Sequence, residues 1–239
     1  MPMRLLVLNP NTSTAVSERL REVAAAGLRP ADRLTVETAR TGLPYIGDAA
    51  AMAIGARAAR ASLQGAMAAG DAFDAVVLGC FADLDTAGLQ ALARRPVVNL
   101  LGASVTLAAR AGRRWAVVTA GGGWQRLLPD MFRAAIRTRP TQEDALRGDA
   151  AQGELVAVRT FETQDPAIAG DPNRMRGEVA RLARLCADED GADVVIVGGA
   201  GLGGLAPANV AGHRKVTVLD SVASALRVAR ELLERESPR

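Results

Sequence analysis

The stretch Asp74-Ala-Val-Val-Leu-Gly-Cys80 decides the fold, because a close copy of it, Asp193-Val-Val-Ile-Val-Gly-Gly199, follows 119 residues later. The same offset carries the apolar run that begins at Pro96 onto the run that begins at Lys215. Short apolar runs of this kind predict buried strands, and a shared offset indicates that the chain repeats one plan.

The segments around these copies predict the fold class. Alanine-rich stretches with scattered arginines separate the apolar runs, and Arg4-Leu-Leu-Val-Leu echoes Arg114-Trp-Ala-Val-Val. This alternation is typical of βα units around a parallel sheet. We therefore predict an α/β protein of two pseudo-symmetric lobes, each a parallel sheet flanked by helices, with the active site in the inter-lobe cleft. The first lobe should comprise residues 1–100 and 218–239, and the second residues 101–217. The predicted strands are Leu5–Leu8, Val76–Leu78, Val97–Leu100, Ala116–Thr119, Val194–Val197 and Val216–Leu219, with helices from Asp171 to about Glu189 and over Ser221–Arg235.

Composition excludes several classes of function. The 239 residues are 49% hydrophobic, enough for a large core, but only 3% are aromatic and the basic residues are dispersed, so we expect no nucleic-acid partner. No apolar run reaches the roughly 18 residues of a membrane span, which predicts no membrane partner and a cytoplasmic location. Two distant cysteines and one histidine predict no metal site. The only lysine, Lys215, opens a strand, so we expect no lysine-bound cofactor and no cofactor at all. The expected partners are a small-molecule substrate and further copies of the chain.

Polar residues that follow strands are the candidates for chemistry, since ligands bind beyond the carboxyl ends of parallel strands. Asn9-Pro-Asn-Thr-Ser13 enters a helix, so its donors could bind a carboxylate or imide there; the alternative is an ordinary turn with an N-cap. Cys80 should lie near a helix N-terminus with a lowered pKa; the alternative is a buried structural cysteine. The remaining candidates are sorted by position: Thr119, Asn99 and Asp220 end strands, His213 precedes one, and Cys186 lies among apolar residues of a helix.

Five segments resemble the hydantoin and allantoin racemases of the Asp/Glu/hydantoin racemase superfamily, in the same order along the chain. They are Leu8–Ser13, Thr41–Asp48, Val77–Asp83, Pro96-Val-Val and Asp193–Leu202. The resemblance implies a cofactor-independent isomerase that acts on a small carboxylate or a hydantoin-like cyclic amide. It also implies that Cys80 is a catalytic thiol that transfers a proton or attacks as a nucleophile. The substrate-binding residues would be Asn9, Asn11, Thr12, Ser13, Tyr45, Phe81, Ala82, Thr119, Ala200 and Gly201.

Gly199 departs from the family pattern at the position of the second catalytic cysteine. Where the family has Leu-Gly-Cys-Ala-Gly-Met, this chain has Val197-Gly-Gly-Ala-Gly-Leu202. Racemisation needs a proton-transfer group on each face of the stereocentre, so a single-cysteine decarboxylase or lyase is an alternative, and a non-catalytic ligand-binding protein is another. The segment Gly199–Gly204 also fits the G-x-G-x-x-G pattern of dinucleotide sites. Only one strand follows it, however, whereas such sites open a doubly wound domain.

Overall fold

The computed structural model describes residues 2–137, 153–162, 171–210 and 215–236. His213 lies outside the described residues. Within those ranges the chain forms eight strands and seven α-helices. The strands are β1 (Arg4–Asn9), β2 (Arg33–Thr38), β3 (Ala75–Leu78), β4 (Val97–Asn99), β5 (Arg114–Ala120), β6 (Glu154–Phe161), β7 (Val194–Val197) and β8 (Thr217–Asp220). The helices are α1 (Thr14–Gly27), α2 (Ala49–Ala68), α3 (Thr86–Ala93), α4 (Leu100–Ala111), α5 (Trp124–Arg137), α6 (Pro172–Asp188) and α7 (Ser221–Glu236).

The strands form two four-stranded parallel sheets with equivalent strand orders. The orders are β2-β1-β3-β4 and β6-β5-β7-β8, and every pairing within them is parallel. The two copies of the repeated sequence, β3 and β7, therefore occupy the same place in their sheets. The predicted α/β class with two parallel sheets flanked by helices is confirmed.

Burial distinguishes the two copies of the repeat from the two strands that were not predicted from the sequence. All four residues of β3 and of β7 are buried, so these strands read as continuous apolar runs. The missed strands, β2 and β6, lie at sheet edges, and most of their side chains are half-buried or exposed. The predicted strand Val97–Leu100 was one residue too long: β4 ends at Asn99 and Leu100 begins α4, because the Asn99 side chain accepts the Gly102 N–H at 2.6 Å and caps that helix.

The described residues divide into two compact units. The first includes Met1–Ala103, Gly199–Gly204 and Ser221–Arg239, and the second includes Ser104–Gly198 and Leu205–Asp220. The lobe boundaries predicted from the sequence stay a prediction, and by its contacts the segment Gly199–Gly204 belongs with the first unit. None of the helices within the described ranges is both long and apolar enough to cross a bilayer.

Helix α7 is anchored in the first unit by a buried ion pair. Arg230 Nη2 lies 2.6 Å from the Asp32 carboxylate, whose side chain has 0% exposure. Asp32 also accepts the N–H groups of Met3 and Arg29, at 2.7 and 2.8 Å. Burial opposes ionisation of Asp32, but these hydrogen bonds outweigh it and lower its pKa to about 2. The C-terminal half of α7 is thereby tied to the segment that precedes β2.

Candidate functional site

Three strand ends bring polar residues to one edge of the first sheet. Leu78 of β3 pairs with Leu8 of β1 and with Asn99 of β4, and the chain continues from these positions into Cys80 and Asn9. The residue before Cys80 donates its N–H to the Leu8 carbonyl at 2.8 Å. The loop after β3 therefore begins directly beside the loop after β1, at the edge where parallel sheets bind ligands.

The Cys80 sulfur lies in a buried cradle of backbone donors. Cys80 is 7% exposed, and the N–H groups of Phe81 and Ala82 donate to its thiol. Burial has the larger effect and raises the pKa of the thiol to about 11. The predicted lowering of this pKa was wrong for a second reason as well: α3 begins only at Thr86, and its N-terminus is capped by Asp85, which accepts a first-turn N–H at 3.1 Å.

Hydrogen bonds to the next strand end fix the loop that carries Cys80. Asp83 accepts the Thr86 N–H at 2.9 Å and the Thr86 hydroxyl at 2.7 Å. The same hydroxyl accepts a hydrogen bond from the Asn99 amide at 2.8 Å. Phe81 and Ala82 are buried at 3% and 0% exposure, so in this loop they present backbone donors to the thiol while their side chains pack in the core.

The Asn9–Ser13 motif is hydrogen-bonded mostly within itself. Asn9 is fully buried, and its amide nitrogen donates at 2.9 Å to each of two oxygens at the start of α1, one of them the Ser13 carbonyl. The Asn9 side-chain oxygen accepts the Asn11 N–H at 3.2 Å, and Asn11 accepts the Ser13 N–H at 2.9 Å. The Thr12 N–H donates to the Leu43 carbonyl at 3.0 Å. The expectation that these N–H groups bind a ligand needs correction, because they already have acceptors in the protein.

Side-chain donors of this motif stay available. Ser13 caps α1 by accepting the Val16 N–H at 3.4 Å, which leaves its hydroxyl hydrogen for another partner. The Asn11 amide nitrogen and the Thr12 hydroxyl have no hydrogen-bond partner among the described residues. All three residues are partly exposed. They can therefore still donate to a carboxylate or to a carbonyl oxygen.

The loop from Thr41 to Asp48 connects the Asn9–Ser13 motif with the Cys80 loop. Its Leu43 carbonyl accepts the Thr12 N–H. At Gly55 of α2, an added Cβ would lie 2.5 Å from Ile46 Cδ1 and 3.2 Å from Leu84 Cδ1, so both loops pack over this glycine. Tyr45 of the same loop is 52% exposed.

Gly199 lies in a backbone conformation that differs from that of Cys80. Its φ and ψ are 122° and 139°, and its N–H donates to the buried Ser221 hydroxyl at 3.2 Å. A 3₁₀ turn, Ala200–Leu202, follows, in which Ala200 is 8% exposed. A Cβ at Gly201 would lie 4.0 Å from Val16 Cγ2 in the first turn of α1. The structure thus brings Gly201 next to the Asn9–Ser13 motif.

The second unit holds the other candidates. Thr119 lies near the end of β5 with 3% exposure, and Asp220 is the last residue of β8. Cys186 is fully buried in α6, where burial and the neighbouring Asp190 raise its pKa to about 12. Lys215 is exposed just before β8. Across the described ranges, no group of three or more His, Cys, Asp or Glu side chains is arranged to hold a metal ion.

A surface groove in the first unit contains none of the predicted site residues. It has a volume of about 300 Å³ and lies between the end of β2 and helix α2. Its walls include Thr38, Arg40, Thr41 and small residues of α2 such as Ala61 and Gly65. Neither Cys80 nor any residue of the Asn9–Ser13 motif lines this groove, so the candidate site stays at the ends of β1 and β3.

Comparisons with known proteins bear on the fold and the family of this chain. A family model described as Asp/Glu/Hydantoin racemase matches residues 5–229. A hydantoin racemase from Rhizobium meliloti is 28% identical over 160 residues, which cover 67% of this chain and 60% of that enzyme, less than two thirds of its length. A hydantoin racemase from Paenarthrobacter aurescens is 24% identical over 231 residues, 97% of this chain and 91% of that one. The crystal structure of allantoin racemase from Pseudomonas fluorescens matches with a TM-score of 0.78 and 26% identity, covering 98% of this chain and 92% of that chain.

Proposed function

Because this chain belongs to the Asp/Glu/hydantoin racemase family, we propose that it is a cofactor-independent isomerase acting on a hydantoin-like cyclic amide or a small carboxylate. The predicted family and isomerase class are confirmed. The substrate and the chemistry are the proposal. Hydantoins are favoured over open-chain amino acids because the similar proteins of 24–28% identity are named as hydantoin and allantoin racemases.

The observation that carries the proposed mechanism is the position of Cys80. Its thiol lies at the end of β3, directly beside the loop after β1, and two backbone N–H groups donate to the sulfur. We assign Cys80 the transfer of a proton to or from the carbon next to the substrate carbonyl. The backbone donors would stabilise the negative charge whenever the sulfur becomes a thiolate.

The Asn9–Ser13 motif is assigned to substrate binding. Removal of a proton next to a carbonyl places negative charge on the carbonyl oxygen, which free donors stabilise. Asn11, Thr12 and Ser13 offer such donors through their side chains, whereas Asn9 shapes the loop from inside the core. Tyr45, Ala200 and Gly201 complete the proposed set of contacts, with Thr119 as a candidate from the second unit.

The raised pKa of Cys80 bears on the direction of proton transfer. With a pKa of about 11, roughly one sulfur in a thousand is a thiolate at pH 8, and ionisation costs about 4 kcal/mol. A base must overcome this cost, but a proton donor is already in the required form. Together with Gly199 in place of a second cysteine, this observation favours one alternative: a decarboxylase or lyase that protonates a carbanion on one face. A binding protein without chemistry is the remaining alternative.

Incubation in deuterated water separates these functions. The enzyme would be given single enantiomers of hydantoins, allantoin, aspartate and glutamate, and also disubstituted malonates, with product mass and chirality as the readout. An isomerase yields the opposite enantiomer with one deuterium, and a decarboxylase yields a shorter product with one deuterium. If every compound is recovered unchanged, the result contradicts both enzyme functions and supports the non-catalytic ligand-binding protein.

The matched control for the mechanism is the second cysteine. We expect Cys80→Ser to lower kcat by a factor of about 1,000 or more, since an alcohol is a far weaker acid than a thiol. Cys186→Ala should keep near-normal kcat, because Cys186 is fully buried in α6. Full activity of Cys80→Ser, or loss only in Cys186→Ala, would contradict the assignment.

Assembly and location complete the proposal. As the sequence analysis expected, we propose a homo-oligomer in the cytoplasm. Light scattering coupled to size-exclusion chromatography measures the assembly directly, and a mass equal to one chain of 24.8 kDa would disprove it.

A further inference from the structure

The backbone at Gly199 is one that a cysteine rarely adopts. A φ of 122° with a ψ of 139° lies outside the regions open to residues with a Cβ atom. Cys80, its counterpart in the repeat, has no such requirement: in the described part of the chain, the only non-glycine residues with positive φ are Asp85 and Arg94. The two positions therefore differ in backbone as well as in side chain.

The conformation at Gly199 is held by the first residue of helix α7. The Gly199 N–H donates to the Ser221 hydroxyl at 3.2 Å, and Ser221 has 0% exposure. The Gly199 carbonyl accepts the Leu202 N–H at 3.1 Å and closes the 3₁₀ turn. Both backbone polar groups of Gly199, its N–H and its carbonyl, are therefore held by hydrogen bonds.

The turn lies where it can influence substrate binding. Gly201 approaches Val16 of α1, and Gly203 approaches Val23 of α1 and Val222 of α7. The first turn of α1 carries the Ser13 cap, so a shift of the 199–202 turn would be transmitted to the Asn9–Ser13 motif. The turn is next to α1 in space, since a Cβ at Gly201 would lie 4.0 Å from Val16 Cγ2.

Resting on the proposed function, we infer that Gly199 is required by this turn rather than being a vacant cysteine position, and that Ser221 is a positioning residue that holds the turn against the substrate-binding motif. A thiol restored at position 199 would strain the backbone and would not supply a second proton-transfer group. Cys80 is then the thiol on which proton transfer depends, and any proton for the opposite face comes from a group other than residue 199.

Thermal unfolding of three variants tests the backbone requirement without any assay of activity. Gly199→Ala and Gly199→Cys should each lower Tm by about 3–10 °C, the size expected for a side chain forced into a glycine-only conformation. Gly201→Ala is the matched control in the same turn, because Gly201 does not have positive φ and an added Cβ would meet nothing closer than 4.0 Å. Its Tm should be unchanged or slightly raised. Equal Tm values for Gly199→Ala and Gly201→Ala would overturn the requirement.

Steady-state kinetics test the positioning role of Ser221. They use whichever substrate the incubations in deuterated water identify. We expect Ser221→Ala to raise KM several-fold with a smaller change in kcat, and Ser221→Thr, which keeps the hydroxyl, to recover most of the loss. An unchanged KM in Ser221→Ala would refute the positioning role, and a higher racemisation rate in Gly199→Cys would refute the claim about position 199. If the wild-type chain turns over none of the substrates, the proposed function fails while the unfolding data still decide the backbone requirement.

Discussion

Strands β3 and β7 occupy equivalent positions in the two sheets, but the residues that follow them differ. Cys80 follows β3 and carries a thiol, whereas Gly199 follows β7 and has no side chain. At the first, Cys80 directs its thiol toward two N–H groups, and its own N–H donates to the Leu78 carbonyl at 2.8 Å. At the second, the Gly199 N–H donates to a side chain from another helix, and φ is 122°. The strand end that carries glycine therefore differs in backbone from the strand end that carries cysteine.

This difference in backbone limits whether a second thiol could act at the end of β7. A second thiol would need a backbone with negative φ at the end of β7, together with donors to its sulfur. At Gly199 the φ is 122° instead. A single substitution is consequently not expected to convert one strand end into the other.

Of the effects that test this comparison, the largest concerns the reactivity of the thiol at the end of β3. In a Cys186→Ala background, alkylation of Cys80 by iodoacetamide should rise about tenfold per pH unit from pH 7 to 10, because only the thiolate reacts. A pKa near 11 instead of 9.0 makes the rate at pH 8 about 100-fold lower than that of an ordinary thiol.

A model thiol peptide, followed by mass spectrometry in the same buffers, gives the reference rate for this measurement. A midpoint below pH 8 would contradict the dominance of burial. Such a result would make Cys80 a ready base and would strengthen racemisation over one-sided protonation.

The sequence predicted six of the eight described strands, including the edge strands β4 and β8, but it missed β2 and β6 at the opposite edges of the two sheets. The repeat at 74–80 and 193–199 is apolar because both strands are buried between layers of helices, and that burial is visible as a run of Val, Leu and Ile. Strand β2, Arg33-Leu-Thr-Val-Glu-Thr38, lies at an edge, and its residues are exposed or half-buried. Its alternation of polar and apolar residues was the available signal.

The candidate site was predictable in its residues but not in its hydrogen bonds. The rule that strand ends form sites placed Cys80 and Asn9–Ser13 together, and the structure brings these segments side by side. Nothing in the local sequence shows that Asn9 turns inward or that burial of Cys80 outweighs its backbone donors. The bond between Gly199 and Ser221 joins residues 22 positions apart, and only the folded chain reveals it.

The ion pair that anchors α7, the helix that carries Ser221, should have an intermediate effect on stability. The pKa of Asp32 is lowered from 3.8 to about 2, so its contribution of about 2 kcal/mol is present above pH 4 and is lost as the pH falls toward 2. Asp32→Asn should accordingly lower the free energy of unfolding at pH 7 by about this amount, measured by urea denaturation, and the gap to wild type should close near pH 2.

Glu234→Gln is the control for this ion pair, because Glu234 binds Arg29 in an exposed pair with both side chains 55% accessible. Its effect should stay below about 1 kcal/mol. The alkylation rate of Cys80 should be the same in both variants. A gap between Asp32→Asn and wild type that does not depend on pH would show that packing, not charge, anchors the helix.

The smallest predicted effect is a change in KM on substitution of Asn11. It tests whether Asn11 binds substrate or only shapes the turn beside Cys80. Its side-chain oxygen accepts the Ser13 N–H at 2.9 Å, while its amide nitrogen has no partner among the described residues. Asn11→Ala removes both functions and should raise KM about 5- to 10-fold, the loss of one hydrogen bond to a polar ligand. Asn11→Asp keeps an acceptor for Ser13 but replaces the donor with a carboxylate. If the donor binds substrate, Asn11→Asp is no better than Asn11→Ala, and for an anionic substrate it is worse because like charges repel. If Asn11 only shapes the turn, Asn11→Asp restores a normal KM, and the binding role assigned to this motif would then rest on Thr12 and Ser13.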